Sequence, residues 1–248
     1  MDTDIEKLQE LIDSSEKIVF FGGAGVSTES GIPDFRSVDG LYNQKYKYPP
    51  ETMLSHSFYV GHKEEFFEFY RDKLLLKVVG TDEVEKAMPN AAHEFLAKLE
   101  EAGKLTAVVT QNIDGLHQAA GSKRVYELHG SVLRNFCQRC GKNYGADEIF
   151  KMKGVPKCDC GGDIKPDVVL YEEGLDNDIM NGAVRAIREA DMLIIGGTSL
   201  VVYPAAGLVD YYRGNKLVLV NRDATARDSV ADYVIHGSIG EIFSRLHV

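Results

Sequence analysis

The chain has 248 residues, 44% hydrophobic and 27% charged, enough to bury a substantial core in one domain or two. Its formal charge of −10, from 28 basic and 38 acidic residues, disfavours nonspecific nucleic-acid binding, which needs a cationic surface; it suits a cationic partner and equally serves solubility alone. No apolar run approaches the roughly 20 residues that cross a bilayer, and the acidic start MDTDIEKLQE lacks the apolar region of a signal peptide, so a cytoplasmic protein is expected.

Ile5, Leu8, Leu11 and Ile12 mark one face of a first helix, with a capping box from Thr3 to Glu6. A buried strand over Lys17–Phe21 ends in Gly22-Gly23-Ala24-Gly25. A mixed aromatic and charged stretch, Ser37 to Glu85, holds a helix around Lys63–Leu76. A helix over Ala91–Ala102 follows, capped by Asn90, and then a strand Leu105–Thr110. Later come a short strand Val168–Tyr171, a helix Asp178–Glu189, a strand Met192–Ile195, a helix Pro204–Tyr212 and a strand Lys216–Val220. A weaker strand Ala231–Ile235 and a helix Ile239–Leu246 close the chain. Continuous apolar strands alternating with helices predict an α/β fold: a doubly wound, Rossmann-like parallel sheet covered on both faces. Residues 1–36, 86–134 and 166–248 are assigned to this large domain. The segments 37–85 and 135–165 read as insertions that together form a small helical and metal-binding domain.

The stretch FFGGAGVSTESGIPDFR, Phe20 to Arg36, reads as a buried strand turning onto the start of a helix. Glycines let the backbone approach a phosphate, and free N–H groups with the helix dipole attract its charge. The usual dinucleotide fingerprint is incomplete, because Thr28 stands where a third glycine is expected, and no acidic residue ends a second strand about twenty positions on. A plain glycine-rich turn remains the alternative. Against it, Gly31-Ile32-Pro33-Asp34-Phe35-Arg36 gathers a rigid proline, an aromatic, an acid and an arginine in a loop, where binding groups tend to sit.

All four cysteines lie in one segment, as Cys137-x2-Cys140 and Cys158-x-Cys160, each pair trailed by glycine. Two close pairs suit a tetrahedral zinc site of four thiolates. Disulfides, a redox pair or an iron–sulfur cluster are the alternatives, and disulfides do not suit a cytosolic chain. With every ligand a thiolate and no position left for water, such a zinc would be structural.

Three more segments join these: Gln111-Asn112-Ile113-Asp114-Gly115-Leu116-His117 after one strand, Glu127-Leu128-His129-Gly130 before the cysteines, and Gly197-Thr198-Ser199-Leu200 after another strand. Ligands in open α/β sheets bind at such carboxyl ends. With GAGVSTESGIPDFR and the two cysteine pairs, in this order, the chain closely resembles the sirtuins, NAD-dependent protein-lysine deacylases of bacterial or archaeal type, from about Lys17 to Ile242.

The resemblance implies a function and a site. Gly23, Ala24, Gly25, Ser27 and Thr28 would hold the pyrophosphate and ribose of NAD. Asp34, Phe35 and Arg36 would belong to the loop over the nicotinamide ribose, with Phe35 shielding the reactive carbon. Gln111, Asn112, Ile113 and Asp114 would line the nicotinamide pocket, Asp114 binding the carboxamide. Gly197, Thr198, Ser199 and Asn221 would contact the adenosine half, with Ser238 and Ile239 by the adenine. His129 would be the general base in a reaction that releases nicotinamide, O-acyl-ADP-ribose and free lysine; its unperturbed pKa of about 6.5 suits that work. His117 would support the fold or the ribose site. The substrate would be an acyl-lysine peptide bound as an added strand between the domains, along Val168, Val169, Leu170 and Tyr171 on one side and Val201 and Val202 on the other. No nucleic acid or membrane is expected as a partner.

The chain departs from the family in two places. Many members have Phe-Gly-Glu where it has Tyr171-Glu172-Glu173. Members that remove dicarboxylic acyl groups carry a Tyr-x-x-Arg pair, and alignment places Arg71 at the Arg but Glu68 at the Tyr. A charge there would repel an acidic acyl group, so acetyl or other neutral groups are expected. Mono-ADP-ribosylation, a non-catalytic NAD sensor and a zinc-module adaptor on nucleic acid are the rival readings; an intact His129 favours deacylation, and the net charge disfavours the last.

Overall fold

The computed structural model describes residues 2–35, 40–41 and 47–248. Arg36, and the parts of the 37–85 insertion over 37–39 and 42–46, lie outside the described residues.

The larger sheet has six strands: β1 (Ile18–Gly22), β2 (Leu105–Thr110), β3 (Val125–Glu127) and, later, β7 (Met192–Gly196), β8 (Leu217–Asn221) and β9 (Tyr233–His236). Their order is β3-β2-β1-β7-β8-β9 and every pairing is parallel. The doubly wound reading therefore holds. Both faces are covered, which is why β1 and β7 are buried at every residue. Along β1 the side chains alternate. Ile18 and Phe20 join a core with the helices Asp2–Asp13, Ala91–Glu101 and Ile239–Phe243. Val19 and Phe21 join the opposite core, beneath the helix Asn177–Glu189 and the 3-10 helix Ala205–Tyr211. Each such fully buried side chain contributes about 1.5–3 kcal/mol of transfer energy.

Caps fix where the helices begin. Asn90 accepts from the Ala92 N–H at 3.0 Å, and its amide donates to Val26 O at 2.8 Å, so the cap also holds the glycine-rich turn. Asp176 accepts from the N–H groups of Asp178 and Ile179. The first helix starts at Asp2, one residue ahead of the expected Thr3 cap.

A second, antiparallel sheet has the order β5-β4-β6, from β4 (Gly130–Cys137), β5 (Asn143–Gly145) and β6 (Ile164–Val168). It shares a third core with the helical stretch from Pro50 to Val79: Phe58, Tyr59, Phe66, Phe67, Tyr70 and Leu75 pack with Val132, Tyr144, Ile149 and Ile164. Rings at Tyr59, Phe66, Phe67 and Tyr70 meet edge-on or stacked, 5.1 to 6.2 Å apart.

The structure corrects several expectations. The glycine-rich turn leads onto two short 3-10 turns, Ala24–Val26 and Thr28–Ser30, rather than an α-helix, because Val26 and Ser27 bond only three residues back. The expected strand Val168–Tyr171 belongs to no long ladder. Its run is spent elsewhere: Val169 N–H bonds His129 O, Leu170 N–H bonds Glu173, and Tyr171 N–H bonds Leu54 O. The strand itself lies earlier, as β6, in the smaller sheet. Pro204–Tyr212 is a 3-10 helix over Ala205–Tyr211, and the helix from Lys63 runs on to Val79 with a π segment at Tyr70–Leu75.

His93 and His117 face each other inside the first core, ring centroids 4.7 Å apart and both buried. Burial pushes His93 down to about 4 and His117 well below its usual value, the latter also by its neighbour His93. Both are therefore neutral in the folded chain and protonate near 6.5 only when it unfolds. Stability is intact above pH 6.5 and falls as pH drops toward 4. Between pH 7 and pH 5, His93 alone costs about 2 kcal/mol, which urea unfolding at the two pH values measures as a lower midpoint at pH 5.

Candidate active site

A cleft of about 520 Å³ opens at the carboxyl ends of β1, β7 and β8 and extends to the smaller sheet. The strands on either side of β1 are reached in opposite directions, so their connections part above it and leave a crevice. On its floor two loops touch. Gly25 N–H donates to Gly197 O at 2.8 Å, and a Cβ on Gly25 would lie 2.8 Å from the Gly197 Cα. Gly197 has φ 60°, and a side chain there would meet the Val26 N at 2.4 Å. Only glycine permits this crossing, which turns main chain toward the cleft.

Polar side chains converge from there. Ser27 Oγ donates to Asp114 at 2.7 Å, and Asn112 Nδ2 donates to Ser27 Oγ at 3.1 Å. Leu116 N–H donates to the other Asp114 oxygen at 2.9 Å. Burial raises the Asp114 carboxyl above its usual range, opposed by these donors. Gln111 is bonded at both ends: its N–H donates to Gly22 O at 2.9 Å and its amide to Thr198 Oγ1 at 3.0 Å. Thr198 N–H in turn donates to Asn221 Oδ1 at 2.9 Å. Asn221 Nδ2 is buried, lines the cleft and has no partner among the described residues, so it offers a donor to a ligand.

His129 lies across the cleft, where the two sheets meet. Its Nδ1 is 2.9 Å from Gln111 O. A carbonyl only accepts, so Nδ1 carries the hydrogen and the Nε2 lone pair remains available. Burial lowers its pKa from the ordinary value, more than the bond to Gln111 raises it. The next residue, Gly130 (φ 73°), passes so close to Asp167 O that a Cβ would lie 2.0 Å from it.

The cleft gathers the sequence's candidates: Gly23, Ala24, Gly25, Ser27, Thr28, Asp34, Phe35, Gln111, Asn112, Ile113, Asp114, His129, Gly197, Thr198, Ser199, Asn221, Ser238 and Ile239, and beside them Val168, Val169, Leu170, Tyr171, Val201 and Val202. Arg36 is outside the described residues. His117 is not on the cleft; it belongs to the core. Arg71 is not there either. Its guanidinium donates to Gly154 O at 2.8 Å and lies over Phe67. Exposed Glu68 does not line the cleft either, so the repulsion expected from it has no basis in the structure. Lys73, Leu74, Lys77 and Val78 of the same helix face the cleft instead. Their i, i+4 stripe was the available signal. Glu29 had no such signal; its carboxylate accepts from Gly240 N–H at 2.6 Å and so joins the glycine turn to the last helix. Glu172 takes φ 76°, a left-handed conformation that favours glycine. Its carboxylate accepts from the N–H and Oγ of Ser57, which ties this turn to the helix His56–Gly61.

The four cysteine Sγ atoms lie within 4.8 Å of one another, with Cys137 to Cys160 at 3.5 Å and Cys140 to Cys158 at 3.6 Å. Thiolates about 2.3 Å from a tetrahedral ion stand about 3.8 Å apart, so the four fit a structural zinc.

A model described as the Sir2 family matches residues 23–204. An NAD-dependent protein deacetylase of Clostridium acetobutylicum is 61% identical over 242 residues, 96% of each chain. A Sir2 solved with a deacetylated p53 peptide and 3′-O-acetyl ADP-ribose superposes with TM-score 0.87 at 38% identity, covering 98% of this chain and 96% of that one. A Sir2 bound to acetylated peptide gives 0.83 at 38% identity, covering 97% and 96%.

The zinc reading is tested by metal analysis of Cys158→Ser. The variant is expected to lose its zinc and to expose the smaller sheet to proteolysis, at a cost of several kcal/mol, before the six-stranded sheet opens.

Proposed function

The chain belongs to the Sir2 family and is an NAD-dependent protein deacetylase with one structural zinc site, and from that premise we propose how its residues divide the work. His129 is the general base. The observation that carries this is its Nδ1–H bond to Gln111 O, which leaves Nε2 as an acceptor. Its lowered pKa keeps the ring neutral at pH 7 and able to take a proton. NAD, when bound, supplies the electrophilic ribose carbon and the hydroxyls that carry the acyl group away, so that nicotinamide, O-acyl-ADP-ribose and free lysine leave.

Gly23, Ala24, Gly25, Ser27 and Thr28 present main-chain and hydroxyl donors to the pyrophosphate and ribose. Asp34 and Phe35, with Arg36 beyond the described residues, cover the nicotinamide ribose and exclude water. Gln111, Asn112, Ile113 and Asp114 hold the carboxamide end. Gly197, Thr198, Ser199 and Asn221 hold the adenosine half, the unpaired Asn221 Nδ2 donating to it, and Ser238 and Ile239 adjoin the adenine.

The substrate is an acyl-lysine protein segment lying as an added strand beside Val168–Tyr171 and Val201–Val202. The N–H groups of Val169, Leu170 and Tyr171 are already engaged, and the carbonyls of Val168, Leu170 and Tyr171 already accept from Lys165, Glu173 and His56, so the exposed Val201 stretch carries more of the pairing. The large domain comprises 1–36, 86–134 and 166–248; 37–85 and 135–165 make the small one, a division supported by their shared core. The three-stranded sheet begins inside the large-domain segment, at Gly130. No described helix is long and apolar enough to cross a membrane. A cytoplasmic setting belongs to the same proposal, and metal-holding thiols suit a reducing compartment. The net charge of −10 argues against direct nucleic-acid binding.

His129→Ala is expected to lose about 10²–10⁴-fold in NAD-dependent release of acetyl from a peptide, followed by mass spectrometry, while still binding NAD. Retained turnover would remove His129 from the role. Ile113, Val132 and Leu170 form an apolar wall on the cleft. Acetyl- and propionyl-lysine are therefore expected to react comparably and succinyl-lysine at least about tenfold more slowly, since a carboxylate is costly there. Equal desuccinylation on the same peptide would assign Lys73 and Lys77 to the acyl carboxylate instead.

A further inference from the structure

Arg134 lies on β4, outside the cleft, yet it joins both sheets beside the site. Its Nη1 pairs with Glu127 at 2.7 Å and its Nε with Asp167 at 2.7 Å. The three side chains differ in exposure. Arg134 and Asp167 are 54% and 44% exposed, but Glu127 is 9% exposed. The pair with Asp167 is therefore of the surface kind, worth little by itself, whereas losing Arg134 would leave a nearly buried carboxylate uncompensated.

Glu127 is placed where that matters. It ends β3, opposite Thr110 in the β2–β3 register, and two residues before His129. Thr110 leads directly into Gln111 to Asp114, and the Glu127 charge acts on Asp114. Asp167 stands opposite Ser131 on β6, beside the close passage of Gly130. Among the described residues the charged group acting on Asp114 is Glu127 of β3 and, through Glu127, Arg134 of β4 and Asp167 of β6. Ser27 and Asn112 bring no charge.

We propose that Arg134 is a positioning residue for the nicotinamide side of the cleft: it bridges Glu127 to Asp167, holds the end of β3 against the smaller sheet, and neutralises the Glu127 carboxylate beside Asp114. The inference rests on the reading of Asp114 as the carboxamide-binding group. Without Arg134, the unscreened Glu127 charge disfavours the Asp114 carboxylate, so Asp114 protonates at higher pH.

The test is steady-state deacetylation by the full chain, with NAD varied at saturating acetyl-lysine peptide from pH 6 to 9. Arg134→Gln is expected to raise the KM for NAD about threefold near neutral pH with little change in kcat, and to move the acid limb of kcat/KM for NAD upward by about half a pH unit. Arg134→Lys restores most of both. Arg134→Gln combined with Glu127→Gln returns the limb toward the wild-type position, even where thermal stability stays low. An unmoved limb with only lower stability would make Arg134 a structural brace and overturn the proposal. Should Arg134→Gln fail to fold, Glu127→Gln alone reads the same coupling with opposite sign, and an unmoved limb there overturns it too. If the wild type releases no acetyl with NAD, the functional reading fails instead, and the two failures are told apart.

Discussion

The crossing of the glycine turn over Gly197 is the constraint on which the site depends. It occurs where Gly22 and Gly196 end neighbouring parallel strands, β1 and β7. With side chains at Gly25 or Gly197 the loops would be forced apart by backbone contacts that cannot yield. Because they touch, the main chain after β1 turns back sharply, and Ser27 comes within reach of Asp114. The loop after β7 is fixed at the same time, so Thr198 meets Gln111 on one side and Asn221 on the other. Four strand ends, those of β1, β2, β7 and β8, are thereby laced together by polar side chains. Asn90 ties the turn from behind, which makes a helix cap a support of the cleft floor.

His129 depends on a second close contact. Gly130 must pass the Asp167 carbonyl to let the chain leave the parallel sheet and enter the antiparallel one. His129 O accepts from Val169 N–H and its Nδ1 is fixed on Gln111, so the ring is held from both sheets. The orientation of the ring thus reports the relation between the large sheet and the zinc-bearing module. The four thiols lie at the far end of β4 from His129, and the aromatic cluster of Phe66, Phe67 and Tyr70 fills the space between helices and module. A metal distant from the chemistry can matter to it through this packed path.

Much of this was legible in the chain. Fully apolar strand runs such as IVFFG and MLIIG gave the parallel sheet, since only strands covered on both faces lack alternation. Cysteine spacing gave the metal cluster. The site motifs sit at strand ends, where glycine and short polar residues leave a clear trace. What was not legible depended on contacts between distant segments. The VVLY run looks like a strand, but nothing local says that its N–H groups are claimed by His129, Glu173 and Leu54. An α-helix after the glycines was expected from the dinucleotide pattern, and the Gly25–Gly197 contact turns the chain too soon for one. Arg71 follows the helical period, yet the π segment at Tyr70–Leu75 shifts the phase, and Lys73 and Lys77 face the cleft in its place.

The absence of that α-helix alters how an anion is held. A helix of useful length would offer its dipole to a pyrophosphate, but turns of three residues offer little of it. Among the described residues that line the cleft, Glu29, Asp34, Asp114, Glu172, Glu173 and Asp223 outnumber Lys73, Lys77 and Arg222. On the proposed division of the site, neutral donors carry much of the dinucleotide's binding: main-chain N–H groups, the hydroxyls of Ser27, Thr28, Thr198 and Ser199, and the Asn221 amide. Such donors are fixed by the glycine crossing before the ligand arrives, so little ordering is left to be done on binding. The described lining is acidic, which on that proposal favours approach by lysine-rich segments and disfavours competing anions that lack a matching pattern of acceptors. On that proposal the glycine crossing and the acidic rim serve one end: the first presents neutral donors to the dinucleotide, and the second avoids repelling a basic protein segment.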